Sequence, residues 1–323
     1  MPKLSTLARN VPTDDGWVSE IKFDGYRFLA WKTAAGVRLV TRNGLDWAPR
    51  LTSVSRWIAA LPVADAVVDG ELVALRPDGT TSFKDLQTAL SNGAHNRLDF
   101  YAFDLLAVNG WDLRGSVLLE RKRLLRDIAD CKGPLRYSDH FAGNPAELYR
   151  EAARLGLEGI ICKRDTPYRA GRGSDWIKVK NLNREEMIVL GWTLPKGERV
   201  GIGALQTGYY DRNGRLHFAG AVGTGFADDE LVEWRQRLAP IAADAPEGLH
   251  VSGERVEPGI RWVSPAYVVE ITYAAWSGSG RLRHSAYLGL REDKIPRQVV
   301  REIADPSSER VIHGASVAPS SRR

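Results

Sequence analysis

The sequence is poor in cysteine and contains no long apolar run. Its two cysteines, Cys131 and Cys162, are too few for a disulfide framework or a thiolate metal site. No stretch approaches the roughly 18 apolar residues that a transmembrane helix needs, and the first residues lack the apolar core of a signal peptide. These absences predict a reduced, soluble, cytosolic protein that does not enter a membrane.

Several common kinds of ligand site are also missing from the sequence. There is no Gly-x-x-x-x-Gly-Lys-Ser/Thr loop, and the six histidines show no metal-ligand spacing. The glycines at 201–203 and 223–225 lack the strand, turn and helix context of a dinucleotide fold. The patterns therefore exclude a P-loop site, a Rossmann-type site and a histidine-based metal site.

What the chain does contain is enough apolar material for two domains. Its 323 residues are 43% hydrophobic and 26% charged, which is an ordinary globular composition. The 10 Trp, 10 Tyr and 8 Phe residues must be buried in large part, and this excludes disorder for the bulk of the chain.

The sequence predicts both helices and strands before about residue 183, and mainly strands after it. Strands are predicted at 17–22, 36–40, 67–75, 100–108, 159–163 and 176–180, and helices at 51–61, 82–90, 117–129 and 144–156. Beyond 183, Asn213-Gly214 predicts a tight hairpin, and a helix begins near Asp228. We expect an α+β domain over 1–183 with antiparallel sheets and flanking helices, an OB-fold barrel over 184–304, and a disordered tail or linker over 305–323.

Positive charge is clustered rather than spread. The formal net charge is +5, and two stretches, 163–184 and 281–301, are rich in lysine and arginine. Clusters of this kind are typical of proteins that bind polyphosphates or nucleic acids. Charge alone leaves a solvated basic surface as the alternative.

The segment Glu20-Ile21-Lys22-Phe23-Asp24-Gly25-Tyr26-Arg27 is the most informative. A lysine that leaves a strand into an Asp-Gly turn is held at a rigid edge, where a ligand can approach it. Nearby cations favour the neutral, nucleophilic form of an amine. Lys178 and Lys180 alternate on one face of a predicted strand and could supply that charge. On its own, the turn predicts only a hairpin.

Six further sequence motifs follow in order and, with the lysine segment, resemble those of the covalent nucleotidyltransferases. The family includes DNA ligases, RNA ligases and capping enzymes, and its lysine motif is Lys-x-Asp-Gly-x-Arg, here residues 22–27. The matching segments are 41–44 (TRNG), 69–72 (DGEL), 101–106 (YAFDLL), 157–163 (LEGIICK), 176–180 (WIKVK) and 283–294. The ending GLREDK at 289–294 is most similar to the ATP-dependent DNA ligase domain of the bacterial ligase D type.

This resemblance implies a lysine nucleophile, Lys22, that attacks ATP and retains AMP. It also implies a divalent cation, Mg²⁺ or Mn²⁺, held through oxygen by Glu158 and Glu71. Glu71 would also accept hydrogen bonds from the ribose, and Phe103 would stack on adenine. Glu20 and Ile21 lie where the family contacts adenine. Phosphate contacts are implied for Arg27, Arg42, Lys178, Lys180, Arg283, Arg291, Asp293 and Lys294.

Each of these residues also has an ordinary structural interpretation. Glu71 alone could be an exposed strand carboxylate, Phe103 alone a core residue, and Asp24 a turn residue that bonds to backbone. The last motif departs from its relatives, because Ser285 stands where a proline is usual, and we expect a looser loop there.

Three functions remain open at this point. The first is a DNA ligase acting on nicked double-stranded DNA in the bacterial cytoplasm, at the nucleoid. The second is an RNA ligase or capping enzyme, disfavoured by the charged final motif and by Phe103. The third is a non-catalytic OB module that binds nucleic acid, disfavoured by the intact lysines and glutamates. The resemblance further implies a monomer, with Ku and polymerase or phosphoesterase modules as partners.

Overall fold

The computed structural model describes residues 2–129, 133–195, 197–253, 256 and 258–303. Cys131 and the predicted tail at 305–323 lie outside the described residues. Within these ranges, none of the helices combines the length and the apolar character needed to cross a membrane.

The described residues up to 180 form ten strands, four α-helices and a short 3-10 helix, His95–Arg97. The strands are β1 Lys3–Ala8, β2 Trp17–Ile21, β3 Tyr26–Thr33, β4 Gly36–Thr41, β5 Ala66–Ala74, β6 Leu98–Val108, β7 Trp111–Asp112, β8 Leu135–Tyr137, β9 Gly159–Arg164 and β10 Gly171–Lys180. The helices are α1 Thr52–Ala59, α2 Phe83–Ser91, α3 Leu118–Ile128 and α4 Pro145–Arg154. All four predicted helices are present, and the predicted cap residue Ser82 accepts a hydrogen bond from the Asp85 backbone.

Two sheets build this part of the chain. One has the order β4-β3-β5-β6-β7, with β8 beside β6, and the other has the order β1-β10-β9-β2. The main core lies on the first sheet, where Phe28, Leu72 and Phe100 pack with Val54 and Ile58 of α1. The prediction of antiparallel sheets is confirmed for most pairs, but β1 with β10 and β6 with β8 are parallel.

Residues 17–42 form three strands where the sequence predicts two. The segment that follows Lys22 is not a hairpin, because β2 belongs to the four-stranded sheet and β3 to the other. The alternation in β3, with Tyr26, Phe28 and Ala30 buried, is the signal that the prediction missed. As a result, Lys22 lies where the chain crosses from one sheet to the other.

The second part of the chain is mainly strands, as predicted. Its elements are β11 Arg184–Trp192, β12 Leu205–Tyr210, β13 Leu216–Val222, α5 Asp228–Leu238, β14 Arg261–Trp262, β15 Val268–Thr272, β16 Ala275–Trp276, β17 Leu282–Arg283 and β18 Ala286–Leu290. The strand order is β13-β12-β11-β15-β18, the curved sheet of an OB fold. The predicted hairpin at Asn213-Gly214 is present, since Tyr210 pairs with Leu216 across it.

Candidate active site

Lys22 is held at its backbone by the four-stranded sheet. Its N–H donates to the Gly159 carbonyl at 3.0 Å, just beyond the antiparallel pairing of β2 with β9. Its Nζ forms an ion pair with Glu158, the residue that precedes β9. The sequence prediction that these two residues belong to one site is therefore consistent with their contact.

Glu158 is buried beside several positive charges. Burial opposes ionisation, but the charges of Lys22 and Lys180 hold the pKa of Glu158 below its ordinary value. Its backbone carbonyl accepts a hydrogen bond from Asn181 at 2.8 Å, which connects it to the end of β10. The carboxylate is thus ionised and fixed in place at neutral pH.

Lys178 and Lys180 both lie on β10, beside β9. Burial lowers the pKa of Lys178 to about 8, and the positive charges of Lys180 and Lys22 act in the same direction. The negative charge of Glu302 acts in the opposite direction. Lys180 donates to the Arg184 carbonyl at 2.8 Å. The electrostatic coupling of Lys178 with Lys22 supports the predicted cluster of cations around the nucleophile.

Glu71 lies on β5, opposite Arg27 of β3. Burial raises the pKa of Glu71 to about 7, although the charges of Lys22, Arg27 and Arg291 act in the opposite direction. Lys22 and Arg27 belong to the lysine motif, and Arg291 belongs to the last predicted motif. Glu71 therefore stands among them, and a half-buried carboxylate in this position can accept hydrogen bonds from a ligand.

Two predicted phosphate ligands are placed very differently. The Arg27 guanidinium donates twice to buried Asp69, at 2.8 and 2.6 Å, so it is committed to a structural partner. Arg42 is half-buried just beyond β4, and no carboxylate of the described residues forms an ion pair with it. Arg42 is thus the better placed of the two to take a new anion.

Motif residues of the OB domain reach this site. Arg291 donates to both carboxylate oxygens of Asp293 at 2.8 Å and to Glu270 at 2.8 Å. Lys294 pairs with Glu186 at 3.0 Å. The Asp293 carbonyl accepts from the Asn43 side chain at 2.7 Å, so this cluster is attached to the first domain.

Arg283 is not brought to the site by any described contact. It is exposed on β17, and among the described residues no hydrogen bond or ion pair joins it to the other predicted site residues. Ser285 donates to the Ala221 carbonyl at 2.9 Å and accepts from Thr224 at 3.1 Å. The sequence predicts a looser loop here because Ser285 replaces a proline. These hydrogen bonds instead fix the loop to the neighbouring strand segments.

Glu20 and Ile21 face different surroundings on β2. The Glu20 carboxylate is buried and accepts from Lys163 at 2.7 Å, Ser138 at 2.9 Å and Lys122 at 3.0 Å. Ile21 packs against the core of the four-stranded sheet. Because both carboxylate oxygens of Glu20 already accept hydrogen bonds from the protein, only its backbone atoms could make the predicted contact with adenine.

Phe103 is less open than the stacking prediction requires. Its ring is 9% exposed and touches Trp176 edge-on, with the Lys163 ammonium 4.5 Å and the Arg27 guanidinium 5.2 Å from its centroid. Stacking on adenine stays a prediction, and it requires one of these cations to move. The ordinary interpretation, a core residue, describes the ring as it stands here.

The described residues suit a metal ion that is coordinated partly by the protein and partly by the phosphates of a bound substrate. Among them, no three His, Cys, Asp or Glu side chains form a group that could bind a metal alone. Glu158 offers an ionised carboxylate next to Lys22. Mg²⁺ is commonly held by one or two carboxylates plus substrate phosphates, so this arrangement fits such an ion.

Sequence reasoning missed several residues that shape the site. Glu186 and Glu270 lie directly opposite each other on β11 and β15, and both contact Arg291. Asp24, predicted to be structural, accepts from the Phe83 backbone at 3.2 Å and pairs with Arg184. A charged residue inside an otherwise apolar strand, as in Val268–Thr272, was the available signal for Glu270.

Comparisons with known proteins agree with this arrangement. The family model for the ATP dependent DNA ligase domain matches residues 3–180, and that for the ATP dependent DNA ligase C terminal region matches residues 198–294. The two regions lie on either side of the predicted boundary at 183/184. The boundary itself stays a prediction.

Relatives of high similarity are longer than this chain. The multifunctional non-homologous end joining protein LigD of Pseudomonas aeruginosa is 39% identical over 306 residues, 93% of this chain and 36% of that protein. LigD of Mycobacterium tuberculosis is 37% identical over 289 residues, 88% of this chain and 37% of that protein. The chain thus spans little more than a third of these relatives.

A solved structure extends the similarity to the fold. Mycobacterial DNA ligase D complexed with ATP and MES matches with a TM-score of 0.65 and 35% sequence identity, over 93% of this chain and 98% of that chain. The match covers both the nucleotidyltransferase part and the OB fold. With the family models, it establishes that the chain belongs to the ATP-dependent DNA ligase family.

Proposed function

We propose that this protein seals nicks with 5′-phosphate and 3′-hydroxyl ends in double-stranded DNA, through a lysyl-AMP intermediate on Lys22. The observation that carries the proposal is the convergence of Lys22, Glu158, Glu71 and Arg291 from two domains. This set combines a nucleophile, carboxylates and a phosphate-directed cation.

The first step joins AMP to the enzyme. The Lys22 amine attacks the α-phosphorus of ATP, a P–N bond forms, the bond to the bridging oxygen breaks, and pyrophosphate leaves while the amine loses a proton. AMP then passes to the 5′-phosphate of the nick, which frees the lysine. Finally, the 3′-hydroxyl attacks that phosphorus, the phosphodiester forms, and AMP leaves.

Negative charge develops on phosphoryl oxygens in every step, and the nearby cations would stabilise it. Lys178 and Lys180 are suited to the α-phosphate because they lie on the strand beside Glu158. Arg291 and Lys294 would address the pyrophosphate, since Arg291 lies close enough to act on the charge of Glu71 and Lys294 pairs with Glu186 beside it.

A divalent cation, Mg²⁺ or Mn²⁺, would be held by Glu158 together with nucleotide oxygens. When bound, it would neutralise phosphate charge and weaken the ion pair between Glu158 and Lys22. Glu71, whose pKa is raised to about 7, is the second carboxylate that could take part.

Covalent labelling tests the nucleophile. With labelled ATP and Mg²⁺ or Mn²⁺, we expect a protein–AMP adduct that is lost in Lys22→Ala and in Lys22→Arg. The arginine variant keeps the positive charge beside Glu158 but has no amine of suitable nucleophilicity. Lys84→Ala, which alters an exposed lysine of α2, is the matched control and should label normally. An adduct that survives in Lys22→Arg would assign the nucleophile to another residue.

Nick sealing separates the DNA ligase from its alternatives. Nicked duplexes with a 3′-deoxyribonucleotide or a 3′-ribonucleotide end should be sealed by the wild-type protein. Labelling without sealing of either duplex would favour a capping-type transferase, and sealing only of RNA strands would favour an RNA ligase. If the protein neither forms the AMP adduct nor seals a nick, the non-catalytic OB module is the remaining interpretation.

The biological setting is a finer part of the proposal. We infer that the ligase acts in double-strand break repair by end joining, as the names of the LigD relatives suggest, in the bacterial cytoplasm at the nucleoid. Ku, and polymerase or phosphoesterase modules, are the proposed partners, and the ligase itself is proposed to be a monomer. Stimulation of the joining of linear DNA by added Ku would test this setting.

A further inference from the structure

The chain beyond the last family motif returns to the OB sheet as a short strap, residues 299–302. Val299 is 3% exposed in the OB core, and its carbonyl accepts from the Tyr210 N–H at 2.8 Å. The Arg301 N–H donates to the Tyr210 carbonyl at 3.1 Å. The strap lies outside both regions that the family models match, which end at residues 180 and 294.

Side chains fix the strap to the OB domain as well. The Arg301 guanidinium lies 3.8 Å from the centroid of the Trp276 ring and 5.6 Å from that of Tyr209, which is a favourable cation–π geometry. The Glu302 N–H donates to the Glu185 carboxylate at 3.0 Å. The backbone N–H of Glu302 is therefore held by the OB domain.

The side chain of Glu302 crosses to the nucleotidyltransferase domain. Its carboxylate lies 2.5 Å from Lys178 Nζ and 3.1 Å from Arg172 Nη2, both on β10. Burial opposes ionisation, but the charges of Lys178 and Lys180 lower the pKa of Glu302 to about 2. At neutral pH the strap thus presents a full negative charge to a lysine of the candidate active site.

Glu302 and a bound nucleotide would need the same ammonium group. The proposed function assigns Lys178 to the α-phosphate of ATP, and a carboxylate at 2.5 Å already occupies it. A cavity of about 210 Å³, lined in part by Lys180, Glu185, Tyr273 and Glu302, lies beside this contact. The displaced carboxylate would have room to turn into it.

We propose that Glu302 is an internal competitor of the ATP phosphates, which occupies Lys178 in the nucleotide-free enzyme and is displaced when ATP binds. This inference rests on the proposed function of Lys178. Glu302 thereby sets the ATP concentration at which the enzyme becomes adenylylated. Glu158 and Glu186 also pair with cations of the site, but neither of them forms an ion pair with Lys178.

The decisive variant is Glu302→Gln, which keeps the shape and removes the charge. The ATP concentration for half-maximal adduct formation should fall about two- to fivefold, because a partly exposed ion pair is worth up to about 1 kcal/mol. The rate at saturating ATP should not fall. A merely structural role for Glu302 would raise the half-saturating concentration or slow the reaction, and either result would overturn the proposal, as would an unchanged value.

Two further variants test the cause. Glu233→Gln removes an ion pair within the OB domain, with Arg237 on α5, and releases no predicted phosphate ligand. It should leave the half-saturating ATP concentration unchanged. Arg301→Ala loosens the strap without altering the carboxylate, and should shift the concentration in the same direction as Glu302→Gln. Thermal unfolding of each variant verifies that it is folded.

Equilibrium binding separates this proposal from the proposed function. A non-hydrolysable ATP analogue, measured by calorimetry with wild-type and Glu302→Gln protein, should bind the variant more tightly by the same factor. If the wild-type protein forms no adduct, the ligase proposal fails, and the calorimetric comparison still decides whether Glu302 competes with the nucleotide. Equal affinities would refute the competition whatever the adduct assay shows.

Discussion

At the scale of single residues, Glu71 is buried at a position where its ionised form destabilises the folded protein. Burial raises the pKa of Glu71 to about 7, above the ordinary value of about 4.3 for a glutamate. The folded protein therefore binds a proton more tightly here than the unfolded chain does. Glu71 then lowers the free energy of unfolding progressively as the pH rises from about 4 through 7.

Glu71→Gln should consequently stabilise the protein in a pH-dependent way. We expect the free energy of unfolding to rise by about 1–2 kcal/mol at pH 8, with little gain at pH 5, since the wild-type side chain is mostly protonated there. Denaturant unfolding at the two pH values measures this. Binding of an ATP analogue should weaken in the same variant, because the amide accepts fewer hydrogen bonds. An equal gain at both pH values would contradict the assigned protonation.

At the scale of elements, the loop between β2 and β3 is pressed against β5. A Cβ atom on Gly25 would lie 2.0 Å from the Leu72 carbonyl oxygen, much closer than any side chain allows. Leu72 follows Glu71, so this contact sets the distance between the loop that bears Lys22 and the strand that bears Glu71. The glycine of the lysine motif is thus required by packing between elements.

Gly25→Ala should move the loop away from β5. We expect a loss of about 2–4 kcal/mol in the free energy of unfolding, together with much slower adduct formation, since the loop carries Lys22. Gly173→Ala is the matched control on β10, where an added Cβ meets no atom within 4 Å. Urea unfolding and labelling of both variants provide the measurement. A Gly25→Ala protein as stable and active as Gly173→Ala would show that the loop adjusts freely.

At the scale of the whole molecule, the two domains are joined over the candidate site. The Tyr26 hydroxyl donates to the Leu290 carbonyl at 2.8 Å and accepts from the Glu292 N–H at 3.3 Å. Burial raises the pKa of Tyr26 well above its ordinary value, so the hydroxyl stays protonated. On the proposed function, this closed arrangement suits the reaction with ATP, and the domains would have to separate for DNA to bind.

Tyr26→Phe should affect the steps of the reaction unequally. Adduct formation should slow by about threefold to tenfold, because a lost hydrogen bond costs about 1 kcal/mol and the closed arrangement is needed there. Sealing of a nick that already carries AMP should not slow, since closure over ATP is not required. Single-turnover assays of the two steps give the comparison. An equal slowing of both steps would point to general damage rather than weaker closure.

The sequence by itself determined the local features and the order of the motifs. The helix caps at Ser82 and Asn144 and the hairpin at Asn213-Gly214 depend on residues close together in the chain, so short-range patterns predict them. The same holds for Lys22 at the end of β2. The family and the fold class could be predicted for this reason, and Lys22 as the nucleophile stays a prediction.

Only the tertiary structure decided which partners the charged residues have. Arg27 is paired with Asp69 and Lys178 with Glu302, and Phe103 is buried beside Lys163. These contacts join residues far apart in the chain, and they depend on how two sheets and two domains pack. A charge also responds to burial, which no local pattern records, so the directions of the pKa shifts and the ion pair of Lys178 with Glu302 depend on the tertiary structure.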